Sequence, residues 1–64
     1  MNLYDKVRKI ATDRNISIYT IEKEAGLSNG SISKWNKSVP TLLNIISVTD
    51  YLDITIDELL NMEV

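Results

Sequence analysis

At 64 residues, with no cysteine, no histidine and a single proline, the chain has material for one core and one domain, residues 1–64. Those absences exclude a disulfide framework, a thiolate zinc site, a thiol nucleophile and the commonest metal ligand and general base, so neither a cofactor nor a catalytic role is expected. A composition of 44% hydrophobic and 25% charged residues excludes a disordered tail, and no apolar run approaches the roughly 20 residues that span a bilayer. A soluble intracellular domain that binds something, without a membrane role, is the expectation.

The net charge of −2 hides a strong asymmetry. Residues 1–37 hold all seven cations (Lys6, Arg8, Lys9, Arg14, Lys23, Lys34, Lys37) against four acids, a local +3. Residues 38–64 hold five acids and no cation, a local −5. A polyanion responds to the face it meets, and screening over about 8–10 Å hides the far acidic end.

Leu3, Val7, Ile10 and Ala11 form one apolar stripe and predict a first helix over residues 2–14. Ser17 is placed to cap a second helix, 18–25, with Ile16 and Ile21 as a hydrophobic staple. Ser28 repeats that grammar with Leu27 and Ile32, and predicts a third helix over 29–37. Pro40-Thr41 opens a fourth, 42–52, on which Leu42, Ile45, Val48, Thr49 and Leu52 share a face. Asp53 follows it where a left-handed residue is needed, a conformation Asp tolerates better than most. Thr55-x-x-Glu58 is a capping box for a fifth helix, 56–61, with Ile54 and Leu59 as its staple. The expected fold is therefore all-α, with five helices.

Residues 17–37 read as two short helices joined through Gly26-Leu27-Ser28, with Gly26 supplying the positive φ of a tight turn. On the third helix, Ile32 and Trp35 point to one side, which makes Trp35 a core residue beneath that helix. Gly30, Ser33, Lys34 and Lys37 point to the other, and Asn29 and Ser31 lie at its N-terminal end. Small, polar and cationic, that face suits a major groove: Asn pairs with adenine edges, and Lys donates to guanine or phosphate. Helix N-termini near Ser17 and Ser28 are expected to offer free N–H groups to phosphates.

The run from Gly26 to Trp35 (GLSNGSISKW), then Pro40, then Ile56-Asp57-Glu58-Leu59-Leu60, resembles the lambda-repressor-like, Cro-type helix-turn-helix domains of phage repressors and related bacterial regulators. The resemblance runs from Leu3 to Leu60 and implies a five-helix domain whose third helix enters the major groove of double-stranded DNA. By position it implies base reading by Asn29, Gly30 and Lys34, with Ser31 and Ser33 beside them. Ser17 and Ile18 fall where a polar pair, often ending in glutamine, grips phosphate; since Ile18 cannot do so, Ser17, Tyr19 or the backbone takes that task, with Lys37 as a further backbone contact. Glu22 stands where the family usually has alanine, at the edge of the Ile18–Ile21–Ala25 stripe, and its carboxylate is expected to reach solvent or a nearby cation. Gly30 removes a side chain from a reading position, which shifts specificity toward DNA shape.

Other residues have plainer readings. Lys6, Arg8, Lys9 and Arg14 read as a solvated face, Tyr4, Tyr19 and Tyr51 by default as edge-of-core packing, and Asp57 and Glu58 as first-turn acids favoured by the helix dipole. Leu43, Ile46, Ile56, Leu60, Met62 and Val64 are surplus to a small core. The family resemblance implies dimers, so the first five of these are expected to form a weak homodimer contact that reads a palindromic operator. Two functions follow: a repressor-like transcription regulator acting by operator occupancy, or a protein-interaction module, antirepressor- or antitoxin-like, using the acidic apolar C-terminal half and a regulatory protein partner.

Overall fold

The computed structural model describes residues 2–63, and among them it contains helices and no strands. Four α-helices, α1 (Leu3–Asp13), α2 (Ile18–Ala25), α3 (Leu42–Leu52) and α4 (Ile56–Leu60), enclose a short 3-10 segment, Ile32–Asn36, in the third place. The all-α class is as expected, but the helix count is four plus this 3-10 segment rather than five. Val64, one of the surplus apolar residues, lies outside the described residues.

Local rules set nearly every boundary. Side chains of Asn2, Ser17, Thr41 and Thr55 each accept from an amide three residues on, which satisfies a donor the helix start leaves free. Thr55 and Glu58 complete their capping box in both directions, at 2.8 and 3.0 Å. Helices α1, α2 and α3 all end the same way, in a left-handed residue: Asn15 (φ 59°), Gly26 (φ 79°) and Asp53 (φ 57°). After each, the next amide reaches five residues back, Ile16 to Ala11, Leu27 to Glu22 and Ile54 to Thr49, at 2.9, 2.8 and 3.1 Å. These are Schellman motifs. The apolar residue that follows each one (Ile16, Leu27, Ile54) packs against the core and starts the connection to the next element.

The core is Leu3, Val7, Ile10, Ala11, Ile21, Ile32, Trp35, Val48, Leu52 and Leu59, drawn from all five elements. Trp35 is 5% exposed, as its spacing from Ile32 predicts. Helix α2 packs on α3, and α1 packs on the 3-10 segment, so the site-bearing segment sits on a buried floor.

Three expectations are corrected. Leu42 is 64% exposed, so the stripe of α3 meets the core from the half-buried Ile45 and is buried at Val48, Thr49 and Leu52; at the first position of the helix the Leu42 side chain lies beyond the edge of the core. Lys6 is buried rather than solvated: its Nζ donates to the Leu60 carbonyl at the end of α4, where a cation meets the negative end of the helix. The third helix does not span 29–37. Gly30 adopts φ 88°, a conformation a right-handed helix cannot contain, so residues 29–31 form a turn and helical structure begins at Ile32.

Candidate nucleic-acid interface

Residues 17–37 are the surface on which the sequence-predicted site residues converge. At its entry Ser17 is exposed, but its Oγ is committed locally, accepting from the Thr20 amide at 3.0 Å and pairing with Thr20 Oγ1 at 2.9 Å. Tyr19 follows at 57% exposure. It lines a shallow concavity together with Glu22, Lys23, Gly26, Leu27 and Asn29, so α2 and the turn meet there. Lys23 is not singled out from the sequence as a site residue; one turn after Tyr19 on the same helix, it lines the same concavity.

Beyond the turn, Asn29 is exposed and Gly30 and Ser31 are half-buried. Ser33, Lys34 and Lys37 are exposed and line a second concavity with Asn36 and Ser38. Asn36 and Ser38 are not among the residues singled out from the sequence; the fold places them beside Ser33, Lys34 and Lys37. The Ser33 hydroxyl donates to the Gly30 carbonyl at 2.7 Å and keeps its acceptor capacity outward. Among the described residues the one ion pair is Lys9–Asp13, at 3.6 Å, which leaves Lys23, Lys34 and Lys37 uncompensated.

The start of this element departs most from expectation. Ser28 does not cap it through its side chain, and Ser31, which precedes Ile32, makes no side-chain cap either. Glu22 takes that role from the preceding helix. It is 2% exposed, not solvent-facing, and shows no cation partner; Oε1 accepts from the Gly30 amide at 3.0 Å and Oε2 from the Ile32 amide at 2.9 Å. The Ser31 amide is used by the Ser28 carbonyl at 3.1 Å. Of the N–H groups near Ser28, those of Gly30, Ser31 and Ile32 are therefore already occupied within the chain.

Two short helical elements joined by a left-handed glycine turn, one resting on apolar residues and showing polar and cationic ones outward, define a helix-turn-helix domain. The family model described as the Cro/C1-type HTH DNA-binding domain matches residues 6–64, and the chain belongs to that family. It is thus a DNA-binding domain of the kind used in transcription regulation. Comparisons with curated proteins and with solved structures give no match. No helix among the described residues is long and apolar enough to cross a membrane.

Proposed function

We propose that residues 1–64 act as a single sequence-specific reader of double-stranded DNA, a repressor-like regulator working by operator occupancy in a bacterial or phage-infected cytoplasm. One observation carries the reading: Asn29, Ser33, Lys34 and Lys37 are exposed on the segment 29–37, whose Ile32 and Trp35 are buried. A helical element with its side chains is roughly 10–12 Å across, which fits a major groove about 12 Å wide. In this reading Asn29 and Lys34 meet base edges, Ser31 and Ser33 sit beside them, and Gly30 lets the backbone approach closely. Ser17, Tyr19 and Lys37 hold the phosphate backbone. Ser17 does so through its remaining hydroxyl capacity or its neighbouring amides, since its oxygen already caps α2.

Pairing of two copies on a palindromic operator is supported by exposed apolar surface at Leu43, 75% exposed, with Val39 and Leu42 beside it in the chain. Ile46 and Ile56 are half-buried and extend the candidate set, whereas Leu60 and Met62 pack against the core and contribute only edges. The same exposed residues support a second reading, a regulatory protein partner on the acidic half.

Amide exchange on the purified chain separates the two. Duplex DNA is expected to protect residues 28–37 and a protein partner residues 43–63. Protection confined to the second region in the presence of duplex would overturn the DNA reading.

A further inference from the structure

Glu22 has an unusual position for a buried acid. No cation approaches it among the described residues, and both of its oxygens are spent on backbone amides eight and ten residues along the chain. Those amides bracket the point where the backbone turns left-handed at Gly30 and then enters the 3-10 segment. The Ile32 bond is buried and the Gly30 bond partly so, where a carboxylate–amide bond is strongest. The carboxylate therefore does from α2 what an N-cap side chain does from the residue before a helix, and it holds two amides at once. It fixes the offset between α2, which carries Tyr19 and Lys23, and the segment that carries Asn29, Ser33 and Lys34.

We propose that Glu22 is the positioning residue of the reading segment: it touches no DNA, but it sets the conformation in which residues 29–34 are presented. The proposal rests on the DNA-binding reading above for its consequence, although the conformational part stands without DNA. The Glu22–Gly30 pairing also has a chemical logic. An amide at φ 88° points away from the helical ladder and needs an external acceptor, and the acid supplies it. Ordinary side chains are disfavoured at residue 30 by φ alone, because a Cβ there would meet open space.

Charge and positioning make opposite predictions, which is what makes the role testable. Removing an anion from the cationic half of the chain strengthens attraction to any duplex, irrespective of sequence. Releasing the reading segment weakens binding to the preferred sequence only. The experiment compares wild type with Glu22→Gln, which keeps the shape and one acceptor, and with Glu22→Ala. Amide exchange is followed first, without DNA. Faster exchange of one of the Gly30 and Ile32 amides in Glu22→Gln, and of both in Glu22→Ala, is expected. The acceleration should be roughly ten- to a hundredfold, the equivalent of losing a charge-assisted hydrogen bond. The amides of Val48 and Leu52 serve as the control for the fold; should Glu22→Ala fail to keep them protected, Glu22→Gln decides. Unchanged exchange at Gly30 and Ile32 overturns the proposal. The ratio of affinities for the selected duplex and a scrambled one is measured next, and it should fall about tenfold in the variants while scrambled binding holds or rises. A ratio that stays constant with the two amides released overturns the positioning role. If wild type binds no duplex at all, the DNA reading fails, and the exchange result still decides whether Glu22 sets the segment.

Discussion

Glu22 and Gly30 should behave as a thermodynamic pair, and a double-mutant cycle measures this directly. In the wild-type background, Gly30→Ala forces a Cβ into φ 88° with no neighbour within 4 Å to clash, so its cost is the left-handed penalty alone, about 1–2 kcal/mol. Glu22→Ala leaves the buried Ile32 amide without its partner, at about 1–3 kcal/mol. Once the acid is gone, both carboxylate bonds to the turn are lost, and the segment is expected to be free to continue as a regular helix. There alanine is better than glycine by about 0.5–1 kcal/mol. Gly30→Ala should therefore change from destabilising to neutral or stabilising when Glu22 is absent, a coupling of about 1.5–3 kcal/mol built from those two terms. Urea unfolding followed by the fluorescence of Trp35, the one tryptophan and 5% exposed, gives the four stabilities. Additivity within about 0.5 kcal/mol would refute the reasoning, because it would mean that the acid does not determine the turn.

Other predictions concern residues placed by the fold. Lys6→Ala removes the donor on the Leu60 carbonyl as well as a buried stem, and should cost about 1.5–3 kcal/mol in urea unfolding; duplex affinity of the folded fraction should not change. A solvated, phosphate-facing Lys6 would give the reverse pattern. Leu59→Ala, at a fully buried position linking α4 to the core, should lose about 2–5 kcal/mol, and a loss under 1 kcal/mol would show that α4 docks loosely. Lys34→Ala should leave unfolding unchanged, weaken duplex binding and reduce the salt slope of binding by about 1. An unaltered slope would remove Lys34 from the interface.

What could be read from the sequence follows from the range of each interaction. Ser17, Thr41 and the Thr55–Glu58 box act within three residues, so helix starts were legible to the residue. Asp53 was legible as a left-handed terminator for the same reason, and the burial of Trp35 followed from helical spacing to Ile32. The Glu22 bonds run from one element into the next, and the Lys6–Leu60 contact joins residues 54 apart; neither is a pattern in a local window. Without the Glu22 bonds, Gly30 read as a helix residue lacking a side chain rather than as the point where the helix cannot begin. Of the predicted face of the third helix, Ser33, Lys34 and Lys37 are exposed and Gly30 is half-buried, and the backbone that displays them is a turn and a 3-10 segment rather than a 29–37 helix. Leu42 illustrates a different limit: periodicity assigns a face, while the edge of the core depends on what packs against it.

The most direct test of the account is selection of binding sites from a random duplex pool by the purified chain at low salt, with folding checked on the same sample. Enrichment of a defined sequence is predicted, in two inverted halves about one helical turn apart, with bound protein protected at residues 28–37. A folded chain that enriches no sequence would contradict the account.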